Sequence, residues 1–511
     1  MVGHSEHAVA VGVDLGGSAC KVTALDELGR VIADERRAYP TSRPRTGWVE
    51  QDPDDWVRAA EAAVRSLTAK LGPQRVRALS VTGATHNAVL LGVDSRPLRP
   101  CITLADQRAA PQADRLAGEF GQDILRRCRN WPRAGWTLPQ LIWLAENEIE
   151  TLRRTRRIVF MKDYVRAALT GDFLTDWIDA EGSLLLDVSS RSWDAHLCGL
   201  AEIAPISLPQ LVAPTDVVGV VSAKAANEFG LHRNTPVVAG CSDTAAEAFA
   251  SGANQAGAGV IKIATAGNVN VVTASPKPSP AYFTYTHVVS PLSYCSFGTN
   301  AAASALSWLG SVLGRSDLVV GAGLDSVLAS TPPGADGLLF HPYLAGERAP
   351  VFDPTLRASF VGLSARHTRD HLIRAGAEGV ALSIADCAEV GASLGLVARD
   401  NRLLGGGVSS LAWAQIVADA LGRELAIPVL GDASAGAALL ALTGAGLLTH
   451  ANAAELAGRT ARTVEPRPAE RELYGELLGL YREAREEIAP VVRKLQARAP
   501  SETVTGAGEA G

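Results

Sequence analysis

Lysine, aromatic residues, paired cysteines and blocks of like charge are all scarce in this chain of 511 residues. Aromatics make up 5%, so the core must come from small aliphatic side chains and close backbone approaches. The seven cysteines (20, 101, 128, 198, 241, 295 and 387) show no C-x-x-C spacing. That excludes a disulfide framework or a zinc ribbon and predicts reduced thiols in a cytoplasmic protein. Only seven of the 48 basic residues are Lys, which reads as coding bias. A net charge of −6 without a sustained basic run argues against nucleic acid or a membrane surface as partner. The most apolar uncharged stretch, 433–448, spans 16 residues, short of a bilayer crossing. The first residues lack the basic and long apolar regions of a secretory signal.

Several chemistries are absent too. No Gly-Lys pair exists, which excludes a G-x-x-x-x-G-K-[ST] phosphate loop. The one G-x-G-x-x-G, at 506–511, ends the chain with no helix after it, so an oxidoreductase has no credible dinucleotide fingerprint. A serine hydrolase's nucleophile elbow is not found either. What remains is 47% hydrophobic and 20% charged, an ordinary soluble composition for two or three domains.

The grammar is α/β and starts twice. Residues 8–14 and 20–25 read as two strands joined by a Gly-rich turn, and the pattern returns at 259–264 and 269–273. Strands are also predicted at 76–82 and 237–240. Helical spacing is predicted over 55–71, 368–390, 410–421 and 473–497. A Pro-rich surface loop is read at 276–280 and a disordered tail at 498–511.

Three constellations carry chemistry. Asp14-Leu-Gly-Gly-Ser-Ala-Cys-Lys21 joins a strand-end carboxylate to glycines, a hydroxyl and a cation. Glycines admit backbone N–H groups to an anion, and Asp beside phosphate makes sense with a divalent cation, so a Mg-nucleotide is implied. An ordinary glycine turn is the alternative. Gly240-Cys-Ser-Asp243-Thr244 ends a strand where a helix begins, and Asp243 there is either a functional carboxylate or a helix cap. Gly405-Gly-Gly-Val-Ser-Ser410 paves a helix start, suited to a flat ligand or to close packing.

Taken with 47–56 (GWVEQDPDDW), 162–173 (KDY to LTGDF), and Tyr343-Leu-Ala-Gly-Glu-Arg-Ala-Pro350, these motifs resemble the FGGY family of carbohydrate kinases, most closely its xylulokinase-like subgroup. The matches run in family order from about residue 9 to residue 446. The resemblance implies two actin-like, ribonuclease-H-type lobes with ATP and sugar bound in the cleft between them. It implies lobes at 8–252 and 253–450, with a helical extension at 451–497. By position, Asp14 would hold Mg²⁺, Gly16, Gly17, Ser18 and Lys21 would meet the phosphates, and Asp243 would be the catalytic base. Thr265 and Gly267 in the second lobe, with Gly405, Gly406, Gly407 and Ser410, would serve the nucleotide. Thr85, His86, Asn87, Asp106, Arg108 and Thr244 would join Asp243 around the sugar.

The chain departs from the family pattern at specific places. Ala84, Thr85 and Asn87 replace Gln, Met and Gly around His86; Leu104 and Ala105 replace Trp and Asn; Thr244 replaces Asn. The turn Ala264-Thr-Ala-Gly-Asn268 lacks the usual Gly-Thr pair. The expectation is therefore an ATP- and Mg²⁺-dependent kinase for a small sugar or polyol, a pentulose such as xylulose or a relative. The altered pocket points to a substrate of four to six carbons held otherwise than D-xylulose usually is, unless neighbouring side chains refill it. The competing reading is a non-catalytic actin-like switch or a sugar-sensing pseudokinase. A homodimer is the assembly considered.

Overall fold

The computed structural model describes residues 7–498, so the expected tail at 498–511, its first residue apart, and its G-x-G-x-x-G lie outside the described residues. Both expected hairpins form. In the first lobe β1 (Val9–Leu15), β2 (Ala19–Asp26), β3 (Val31–Ala38), β4 (Val76–Gly83), β5 (Val217–Val220) and β6 (Pro236–Val238) build one sheet. The second lobe's sheet holds β7 (Ala258–Ile263), β8 (Gly267–Thr273), β9 (Phe283–Thr286), β10 (Ser293–Thr299), β11 (Asp400–Leu404), β12 (Leu425–Pro428) and β13 (Thr460–Val464).

The duplication is topological. The first sheet runs β5-β6-β4-β1-β2-β3 and the second β9-β10-β8-β7-β11-β12-β13. In each, an opening antiparallel hairpin is flanked on one side by a third antiparallel strand. On the other side come two parallel strands and then an antiparallel edge. This is the ribonuclease-H arrangement twice over, found although the two hairpins share pattern and not letters.

The helices that position the cleft are α1 (Pro53–Leu71), α2 (Ala110–Cys128), α3 (Trp177–Glu181), α4 (Asp243–Ala250), α5 (Arg369–Ser393), α6 (Leu411–Leu421), α7 (Ala433–Gly444) and α8 (Pro468–Gln496). α1 starts at an Asp52 cap with Pro53 in its first turn and buries Trp56, Ala60, Val64 and Leu67, one apolar stripe of period 3.6. A G-x-S-x-G string does occur, at Gly391–Gly395, but it closes the end of α5 with no strand before it, so it is no nucleophile elbow.

The apolar 433–448 stretch has a use. Its helical part, α7, crosses from the second lobe onto β1 and α4 of the first and is buried on every side. A Cβ on Gly12 would collide with the Ser434 carbonyl, and one on Gly436 with the Ala246 carbonyl. Small residues let these backbones touch across the lobes. No helix among the described residues is long and apolar enough to cross a membrane. All seven cysteines are buried free thiols.

Candidate active site

The cleft floor is where the two hairpins face each other. Asp14 ends β1 with Oδ1 buried and without a hydrogen-bond partner. Burial, with Asp243 and Glu247 nearby, pushes its carboxyl well above the usual carboxylate range. The turn behind it is braced from one side: the Tyr39 hydroxyl donates to the Gly16 carbonyl, and Gln51 Nε2 to the Gly17 carbonyl at 2.9 Å. Gly17 and Ser18 are exposed, and nothing lies within 4 Å of where a Gly17 side chain would sit. Lys21, assigned to phosphate by its place in sequence, is instead held at 2.5 Å by Asp432, whose carboxylate also caps α7.

Asp243 is not the cap of α4. Ser242 takes that place, its hydroxyl accepting from Ala245 N, and this leaves the half-buried Asp243 carboxylate to the cleft. Thr244 orients it, donating N–H (2.6 Å) and hydroxyl (3.2 Å) to Oδ1. One turn further along α4, Glu247 Oε1 meets Lys262 Nζ of the second lobe's β7 at 2.6 Å. The Asp243 charge reaches Asp14, Glu247 and Lys262 on one side and Asp179 and Tyr285 on the other. It is thus near both the acids around Asp14 and Tyr285.

That pocket centres on His86, whose backbone sits at φ 72, a conformation that costs a non-glycine residue energy and is typical of functional sites. Thr137 holds its carbonyl at 2.9 Å. Its Nδ1 lies 2.6 Å from the Gly182 carbonyl, which can only accept, so Nδ1 carries the proton. Burial pushes the imidazole down to about 4, which leaves Nε2 a neutral acceptor toward the pocket. Tyr285 of the second lobe reaches Nε2 at 3.2 Å. Trp136 packs on His86 edge-on at 4.1 Å between ring centres and stacks on Tyr285 at 6.0 Å. Trp136 and Tyr285 thus put aromatic bulk beside His86. Thr85 stands beside His86, packed near Gly182.

Other expected site residues have their polar groups spent on the protein. Asn87 Oδ1 accepts from Leu104 N at 2.8 Å, and its amide faces Ala84 O and Met161 Sδ. Asp106 and Arg108 form a buried bidentate pair (2.9 and 2.8 Å), with Arg108 also on Glu50 and over the Trp48 ring. They brace the loop. Ser410 caps α6 and bonds Asp325 at 2.6 Å, so its hydroxyl is likewise taken. Of the three glycines, Gly405 and Gly407 are pressed against Ile263, and Gly406 alone opens to space. Gly267 packs on Thr299, whereas Thr265 is exposed at its turn.

The acids suit a hard cation. Among the described residues no three His, Cys, Asp or Glu side chains converge to hold a metal by themselves. Mg²⁺ needs no such cage: it takes one or two carboxylates and keeps water and phosphate oxygens. Asp14, with its orphaned oxygen and acidic neighbours, fits that demand.

Two ribonuclease-H-type lobes closing on an acidic, glycine-turned cleft with a polar-aromatic pocket define an ATP-dependent sugar kinase of the actin-like fold. The chain belongs to the FGGY family of carbohydrate kinases: its N-terminal domain matches residues 9–250 and its C-terminal domain 259–445. Xylulose kinase from Lactococcus lactis is 32% identical, over 86% of this chain and 88% of the relative. Xylulose kinase from Rhodospirillum rubrum superposes with a TM-score of 0.83 at 30% identity, over 95% and 99% of the two chains. Gluconate kinase from Lactobacillus acidophilus does so with a TM-score of 0.87 at 26% identity, over 96% and 100%. The family's ATP and Mg²⁺ come with it. The non-catalytic alternative gains no support.

Proposed function

We propose that this kinase phosphorylates a pentulose such as D-xylulose in the cytoplasm. The observation that carries this is the place of Asp243, freed from capping by Ser242 and set between the acids and the His86 pocket. Asp243 accepts the proton of the attacking hydroxyl, and Thr244 fixes its Oδ1 for that task. The Tyr285 hydroxyl, donating to His86 Nε2, accepts a second sugar hydroxyl on its oxygen, while Trp136 covers the carbon skeleton. The Gly16–Ser18 turn receives the β- and γ-phosphates, and Gly406 lies along the adenosine. Asp14 holds the Mg²⁺, which when bound neutralises phosphate charge. The first lobe is proposed to span 8–252 and the second 253–450. The 451–497 extension is anchored to the second by β13.

The aromatic wall beside His86 supports the pentulose over a substrate held in a new way. Steady-state kinetics decide: kcat/KM for D-xylulose is expected to exceed that for D-ribulose, D-gluconate, glycerol and tetritols. A higher value for any of these overturns the assignment.

A further inference from the structure

The second lobe faces the phosphates with an unusual turn. In Ala264-Thr-Ala-Gly-Asn268 the Ala264 N–H is already bonded to the Ala266 carbonyl at 3.0 Å. The Thr265 carbonyl takes Ala302 N at 3.0 Å and the Ser304 hydroxyl at 2.7 Å. The turn is braced internally, its residues are uncharged, and so are Gly405–Gly407 beyond it. Yet the cleft is acidic. Asp14, Asp243 and Glu247 share it, and a nucleotide's phosphates would add further negative charge. Lys21 is paired at 2.5 Å with a further acid, Asp432.

Two residues before the braced turn, Lys262 points from β7 into this gathering. Its Nζ lies 2.6 Å from Glu247 Oε1 across the lobes, within the field of Asp243 and Asp14. Both partners are largely buried, with side-chain exposures of 23% and 10%. A Lys here is a compact charge on a flexible stem, in a chain where 41 of 48 basic residues are Arg.

We propose that Lys262 is a phosphate-binding residue: its ammonium leaves Glu247 for an oxygen of the transferring phosphate when Mg·ATP binds, supplying from the second lobe the donor that a Gly-Thr turn would otherwise give. This rests on reading the cleft as the kinase site. Lys262 makes and breaks no covalent bond and passes no proton; it offsets charge where charge builds up.

The test is nucleotide affinity without sugar, measured by titration calorimetry with Mg²⁺, comparing the β,γ-imido analogue of ATP with ADP. Lys262→Met is expected to lower the preference for the triphosphate by about tenfold, the loss of one charge-assisted hydrogen bond. Lys262→Arg should restore most of it. A fivefold or greater fall in that preference supports the proposal, and a smaller one overturns it, whatever happens to Tm. A purely structural tie between Glu247 and Lys262 would lower Tm and weaken both nucleotides alike. Lys262→Gln gives the same comparison should the Met variant not fold. Turnover by Asp243→Asn reports separately on the kinase-site reading, since that variant keeps Lys262.

Discussion

Asp243 shows how far one side chain can be followed from sequence. The string Gly240 to Thr244 locates it, but whether it caps α4 or serves the cleft depends on Ser242, and only the geometry decides that. Asp243→Asn is expected to bind ATP normally and to lose turnover by 10²–10⁴-fold, the usual reach of general-base catalysis; calorimetry and a coupled ADP-release assay check the two halves. Glu247, Lys262, Trp136 and Tyr285 are invisible as site residues in the sequence because what makes them so is contact across the cleft. Tyr285 is 199 positions from His86. Tyr285→Phe removes the hydroxyl and keeps the ring, so KM for the sugar should rise several-fold with ATP affinity unchanged, at about 1 kcal/mol for one neutral hydrogen bond. Position in sequence is equally silent on what Asn87, Asp106, Arg108 and Ser410 bond to within the protein.

At the scale of elements, strands and helices with strong periodicity are legible. The hairpins, α1, α5 and α6 fall within a few residues of their expected bounds because one face of each is apolar and a cap or glycine marks an end. The stretch between 88 and 235 is not: α2 apart, it is built of short strands and helices whose burial comes from tertiary packing. Within it, Gly118 sits on the exposed face of α2 with nothing within 4 Å of its missing side chain. Gly118→Ala should raise stability by about 0.5–1 kcal/mol through helix propensity alone, seen as a higher Tm with unchanged kinetics. The hairpin of β9 and β10 carries a pH-dependent contribution. Burial pushes His287 down to about 4 from an ordinary 6.5. The folded chain then binds fewer protons than the unfolded one between those values, so this contribution is complete above pH 6.5 and lost as pH falls toward 4. His287→Gln should therefore lose less stability than the parent between pH 7 and pH 5, by up to about 2 kcal/mol. Paired thermal melts at the two pH values measure it.

At the scale of the molecule, two further sets of contacts join the lobes beside the Glu247–Lys262 and Lys21–Asp432 ion pairs. Near the pocket, first-lobe side chains clasp the backbone of β9. Asn130 exchanges hydrogen bonds with Thr284 N (2.8 Å) and O (2.6 Å), and Glu181 of α3 accepts from Thr286 N at 2.7 Å and from its hydroxyl. Tyr285, between them, is thereby set over His86. Behind the cleft the contact is backbone on backbone, α7 against β1 and α4, which is why a stretch rich in Ala and Gly and without charge reads from sequence only as too short for a membrane. Gly12 is the tightest point, since an added Cβ would meet the carbonyl oxygen of Ser434 and the amide nitrogen of Ala438, neither of which can turn aside as a side chain could. Overpacking in a core costs about 1–3 kcal/mol and sometimes more. With rigid backbone as the obstacle, Gly12→Ala should lie at or above the top of that range. The strain is relieved only by moving α7, and with it the second lobe, away from β1, so the damage should extend to the Asp14 end of the same strand. Gly12→Ala is thus expected to lower Tm and to raise KM for ATP together, although the residue itself touches no substrate. A variant that melts like the parent would show that the lobes can part at α7 without cost.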